Sequence, residues 1–135
     1  MQNPNVYVKL YEGMGRGLAA FTMIEKGKFV MECELLVLSQ FDTPIANMTE
    51  LKHYTFKYNE SQDCLVLGNG EIFNHSDEPN VKYELVDYTQ DGETRKVMMF
   101  TAIRHIDAGE QLFIDYNADI PVDTKEYVNS KSLVG

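Results

Sequence analysis

A mostly β fold is predicted by three observations. Apolar residues come in short runs of strand length, glycines punctuate those runs, and no strand alternates with a long amphipathic helix as βαβ units require. Glycines at positions 13, 15, 17, 27, 68, 70, 92 and 109 fall at candidate turns. The length of 135 residues, with 44% hydrophobic and 24% charged residues, suits a single domain over 1–135, with its core at about 6–117 and a tail at 118–135. The same apolar fraction excludes a disordered acidic tail.

The elements follow in chain order. Val6–Leu10 (VYVKL) alternates and puts Val6, Val8 and Leu10 on one face of a first strand. The glycine-rich segment Gly13-Met14-Gly15-Arg16-Gly17-Leu18 reads as a turn, with no helix opening behind it. Phe29–Leu38 (FVMECELLVL) reads as one apolar strand with two acidic interruptions. The one plausible helix lies near Thr49–Tyr58, with Asn47 or Thr49 as its N-cap. A short apolar run covers Cys64–Leu67. Val81–Val86 and Lys96–Ala102 flank a hairpin turn at Asp91-Gly92, and Gln111–Tyr116 forms the last strand. Phe21–Val30 (FTMIEKGKFV) echoes Phe100–Leu112 (FTAIRHIDAGEQL), which two independent glycine turns would explain.

Charge and cysteine content narrow the function. Lys and Arg total 12 against 21 Asp and Glu, a formal charge of −9. That argues against direct nucleic-acid binding and suits a cationic partner. No apolar run approaches the roughly 20 residues of a membrane-spanning helix, and the polar start at Met1 to Pro4 does not read as a secretory signal. Cys33 and Cys64 sit in apolar surroundings, so buried free thiols in a reducing, intracellular compartment are favoured over a disulfide. His53, His75 and His105 lie at no ligand spacing to one another or to a C-x-x-C pair, which argues against a structural zinc site.

Three segments carry candidate chemistry. Gly15 and Gly17 flank Arg16, and alternate glycines let a backbone approach a ligand closely. Gly70-Glu71-Ile72-Phe73-Asn74-His75-Ser76-Asp77-Glu78-Pro79-Asn80 runs from apolar into polar groups that need hydrogen-bond partners. Asn74 is the better candidate for ligand contact and His75 for a structural role. Gly109-Glu110-Gln111-Leu112-Phe113-Ile114-Asp115-Tyr116-Asn117 is a strand ending in an aromatic. In this order, G-R-G, N-H-S-x-x-P-N and G-E-x-L-x-x-D-Y resemble the SET-domain family of protein lysine methyltransferases, over about Val6 to Asn117. The size is similar to the small stand-alone viral and bacterial members.

The resemblance implies a β-clip-like fold of several small, mostly antiparallel sheets, with a C-terminal pseudoknot where the N-H-S and D-Y segments meet. It implies S-adenosyl-L-methionine as cofactor, held by Gly15, Arg16, Gly17, Asn74 and His75. It implies Tyr116 as the active-site tyrosine, and Tyr54 and Ile114 as linings of a lysine channel. The aliphatic Ile114 implies tolerance for di- or trimethylation. Gln111, standing where the family more often has a second Glu, is expected on a strand surface with little effect. The closing aromatic is expected from Tyr127 or from a second subunit, which leaves a homodimer open. The implied activity is methyl transfer to lysine in a basic, histone-like protein or peptide, without metal. The competing readings are a SET-like module that binds cofactor or peptide without turnover, and a β-rich interaction protein. Neither the substrate protein nor a choice between cytoplasm and nucleus is legible.

Overall fold

A computed structural model describes residues 5–116. Ten strands form three small sheets among these residues. The first sheet has the order β1 (Val6–Tyr11), β2 (Gly15–Ala20), β10 (Gln111–Ile114) and β7 (Asn74–His75). The second sets β3 (Phe29–Cys33) against β9 (Glu93–Ala102) and β8 (Val81–Gln90). The third sets β4 (Leu35–Val37) against β6 (Asp63–Val66) and β5 (Thr55–Lys57). Leu18, Val30, Met31, Val66, Phe100 and Leu112 meet in one buried core drawn from all three sheets. Phe73 stacks on Phe100 there, with ring centroids 4.6 Å apart.

The hairpin is the element the sequence specifies most directly. Asp91 and Gly92 both take positive φ, 55° and 81°, as a two-residue turn matched to strand twist requires. The strands beside them pair without interruption from Gln90↔Glu93 to Val81↔Ala102.

Several local expectations change. The glycine segment is a turn followed by a strand: β2 starts at Gly15 and pairs along the whole of β1. β1 is an edge strand whose partner has glycine at two of its six positions, and Val6 is buried while Val8 and Leu10 are exposed. Phe29–Leu38 is not one strand. It breaks at Glu34 and passes from the second sheet into the third, where Arg95 on β9 grips the Glu34 carboxylate with two nitrogens. The helix expected over Thr49–Tyr58 is replaced by a five-residue helix α1 (Asp42–Ala46), a 3-10 turn (Glu50–His53) and β5. Thr49 does cap that turn, accepting the Leu51 amide. Beyond it, Thr55-Phe56-Lys57 gains more by pairing with β6, which buries Thr55 and Phe56.

The two echoing segments are not independent turns. Ile24 and Ile106 exchange both backbone hydrogen bonds, each 2.8 Å. Gly27 donates to Ala102 O at 2.8 Å, and Gly109 donates to Ala20 O at 2.7 Å. Both glycines take φ of 87°. The segments thus clasp one another through matching contacts, and the clasp seats β10 beside β2.

Candidate active site

Against the mostly antiparallel pattern, β10 lies parallel to β7, with Phe113 opposite Asn74 and Ile114 opposite His75. This short pairing joins segments about forty residues apart and builds one wall of a cavity of about 490 Å³. Arg16, Tyr54, Glu71, Asn74, Ile114 and Tyr116 are among its lining residues. Five residues singled out from the sequence (Arg16, Tyr54, Asn74, Ile114 and Tyr116) therefore share one cavity. Gly15, Gly17 and His75 lie next to these in the chain without lining it. Tyr127 lies outside the described residues.

The wall is held by polar bonds inside the protein. The Asn74 amide nitrogen donates to Arg16 O at 3.1 Å and to Gln111 Oε1 at 2.8 Å. Both its N–H groups are used, which leaves the amide oxygen to accept from a ligand. Gln111 is therefore no idle surface residue: it orients Asn74 across the sheet. A Cβ on Gly17 would come within 2.7 Å of both Asn74 Nδ2 and Gln111 Oε1. Glycine is required there by this close approach, since a methyl group would occupy the space of that hydrogen bond.

Tyr116 is fixed at both ends. Its backbone amide donates to His75 Nδ1 at 3.0 Å, and its hydroxyl donates to Phe73 O at 2.6 Å. The phenol proton is thereby committed, and the oxygen faces other partners as an acceptor. Burial, then the charges of Glu71 and Tyr54, raise the Tyr116 pKa, so the phenol stays neutral at neutral pH. His75 accepts on Nδ1 and places Nε2 3.0 Å from Asp77 Oδ1, the geometry of a structural imidazole. His75, Asp77 and Asp115 lie close enough to hold a cation, but the Tyr116 amide already occupies Nδ1.

Besides Gln111, sequence reasoning missed two residues. Asn80 is fully buried, and it takes the Phe113 amide on Oδ1 at 2.7 Å while giving Nδ2 to Gln111 O at 2.9 Å. It ties β10 from the side that β7 leaves open. Its signal was the Pro79-Asn80 pair that closes the N-H-S segment, where Asn80 was given no role of its own. Glu71 was quoted as part of a motif and given no role, yet it places a carboxyl in the cavity wall. Burial pushes its pKa up to about 7, partly offset by the Val66 amide that donates to it. Cys33 and Cys64 are free and buried, and burial raises both thiol pKa values, Cys33 to about 11.

Comparison with known proteins agrees with this architecture. A SET domain family model matches residues 15–117. A Schizosaccharomyces pombe protein named histone-lysine N-methyltransferase, H3 lysine-37 specific, is 29% identical over 106 residues, covering 78% of this chain and 68% of its own. A Plasmodium falciparum structure, described as that of a protein assigned as a histone methyltransferase, superposes with a TM-score of 0.69 at 21% identity, over 87% of this chain and 96% of that one. A humanized mutant of the Chaetomium thermophilum Polycomb Repressive Complex 2, bound to an inhibitor, gives 0.61 at 26% identity, over 82% of this chain and 14% of the matched one. These likenesses put the fold in the class of SET-type methyltransferases. The chain belongs to the SET domain family.

Proposed function

We propose that the protein transfers a methyl group from S-adenosyl-L-methionine to the side-chain amine of lysine in a basic, histone-like protein. The observation that carries this reading is the junction of β7 and β10, which sets Asn74, Ile114 and Tyr116 around one cavity. The residues present fit the cofactor. A cavity of about 490 Å³ is of small-molecule size, Arg16 offers a cation to a carboxylate, and the Asn74 oxygen offers an acceptor to an ammonium. Gly15 and Gly17 hold the strand that presents Arg16, and His75 fixes the backbone of Tyr116. The cofactor would supply an electrophilic methyl group on a positively charged sulfur.

The chain's own residues would then position the nucleophile. Only a neutral amine attacks, and at a lysine pKa of about 10.4 roughly one amine in a thousand is neutral near pH 7. Ile114, 1% exposed, and the aromatic faces of Tyr54 and Tyr116 make a lining that disfavours the ammonium by desolvation. The Tyr116 oxygen, its proton held by Phe73 O, can accept an N–H and aim the nitrogen lone pair at the methyl carbon. Ile114 brings no hydroxyl to hold back a partly methylated amine, which is consistent with addition of two or three methyl groups. The net charge of −9 favours encounter with a lysine-rich chain.

The test is transfer of labelled methyl from S-adenosyl-L-methionine to a panel of basic proteins and lysine peptides. Tyr116→Phe should lower turnover by about 10²-fold or more while leaving cofactor affinity in calorimetry unchanged. Near-normal turnover in that variant overturns the role of Tyr116. Cofactor binding without transfer to any lysine would make the protein a binding module instead.

A further inference from the structure

Glu71 ends a 3-10 turn (Gly68–Glu71) and lines the same cavity as Tyr54 and Tyr116. Its two carboxyl oxygens are treated differently. Oε2 accepts the Val66 amide at 2.6 Å, which fixes the side chain. Oε1 is buried and, among the described residues, has no hydrogen-bond partner. A buried carboxyl oxygen without a donor costs stability, and such exceptions call for an explanation. None is visible in the packing. Gly70, immediately before it, leaves no room for a Cβ against Val66, Cys33 and Phe100, so the turn that carries Glu71 is tightly packed.

We propose that Glu71 is the proton acceptor for the substrate amine, receiving on Oε1 the proton that the lysine ammonium must lose before attack. The inference rests on the reading of this cavity as a lysine methyl-transfer site. The step balances: an N–H bond breaks, an O–H bond forms, and the electron pair stays on nitrogen, where it attacks the methyl carbon. The carboxylic acid is reset by loss of its proton to water.

The surroundings suit that role. Tyr116 also lines the cavity, and it cannot serve, since its own proton is committed to Phe73 O and its pKa is raised. Glu71 and Tyr116 line the same cavity, and the charge of Glu71 contributes to the raised pKa of the Tyr116 phenol. Cys33 on β3 and Cys64 on β6 also lie within reach of that charge. Both thiols are pushed upward by burial and stay protonated, so neither competes for the proton. Lys52 and His53, with Tyr54, line the cavity beside it. A base works best with a pKa near the working pH, and burial brings Glu71 to about 7. Desolvation lowers the amine pKa toward it from the other side.

The decisive measurement is the pH dependence of kcat/KM for methyl transfer to a lysine peptide, from about pH 6 to about pH 10, in the wild type and in Glu71→Gln. Glutamine keeps the volume and can still accept the Val66 amide, but it takes no proton. The wild-type rate should rise through about pH 7 and level off. The variant should be about 10²-fold slower near pH 7, and the gap should close toward pH 10 as the amine loses its proton unaided. A merely structural role would lower both profiles in parallel, and that result overturns the proposal. A second readout needs no turnover: the Glu71 carboxyl carbon, assigned by its absence in the variant, should titrate near pH 7 in NMR. Titration in the ordinary glutamate range overturns the proposal equally. A wild type that methylates no lysine takes down the proposed function and the role of Glu71 together. An active wild type with parallel profiles takes down the role of Glu71 alone.

Discussion

The two sides of the cavity are built on opposite principles. On the β7–β10 side, the polar side chains are tied to other parts of the chain: Asn74 to Arg16 and Gln111, Tyr116 to His75 and Phe73, and Asn80 to Gln111 and Phe113 of β10. The other side is reached by the segment between α1 and β5, whose Lys52, His53 and Tyr54 line the cavity and which leaves large apolar side chains in solvent. Met48 is 80% exposed, Leu51 43% and Tyr54 42%. The closed side is cross-linked by these bonds. The open side is held by a short 3-10 turn and presents apolar surface that a bound chain would cover. The closed side therefore owes its order to the fold, and under the proposed function the open side is the one a substrate would complete.

The comparison breaks first at Asn80. Asn80→Ala leaves the Phe113 amide and the Gln111 carbonyl buried and unpaired. At about 1–3 kcal/mol for each of the two orphaned groups, the loss should be roughly 2–6 kcal/mol. That is a fall in Tm of roughly 10 °C or more, read by calorimetry. An unchanged Tm would mean that β7 alone keeps β10 in place and that the closed wall owes nothing to Asn80.

The same contrast decides what was legible in the sequence. The closed wall depends on side chains whose hydrogen-bonding capacity cannot be exchanged, so Asn74, His75 and Tyr116 stand out as letters in a fixed order. The hairpin was legible too, because Asp91-Gly92 is among the few pairs that accept two positive φ values. The open wall depends on length and on apolar character, which many sequences share. Its helix was expected seven residues too late, since Thr55-Phe56-Lys57 fits either a helix end or a strand until β6 is known to lie beside it. Gln111 and Glu71 escaped for another reason. Each acts through a partner far away in the chain or through the lack of one, and neither fact is written locally.

Glu71 belongs to neither side, being anchored like the closed wall and unsatisfied like the open one, and its ionisation gives a smaller, pH-dependent test. Its pKa in the folded chain, about 7, stands above the ordinary glutamate value of 4.5. The folded state therefore favours the neutral acid. The stability this confers is fully present below about pH 4.5, is lost as pH rises toward 7, and changes little above that. Glu71→Gln removes the dependence. The variant should match the wild type near pH 5 and exceed it by roughly 1–2 kcal/mol near pH 8, a figure reduced for partial exposure. Thermal melts at the two pH values check it. A variant with equal gain at both would show that packing, and not ionisation, separates the two proteins.

The smallest effect on stability, and the sharpest on function, is expected on the open wall. Tyr54 follows the 3-10 turn at its C-terminal end, and its amide closes that turn on Leu51 O at 2.9 Å. This bond is made by the backbone and survives removal of the side chain. Tyr54→Ala should therefore shift stability by no more than about 0.5 kcal/mol, as exposed substitutions usually do. If the open wall is completed by substrate, the ring does its work only in the complex. KM for a lysine peptide should then rise about tenfold while cofactor affinity holds, because the cofactor's polar contacts are assigned to the closed side. A variant that loses cofactor affinity and peptide affinity together would erase the distinction, since it would show one continuous wall where the hydrogen bonds draw two.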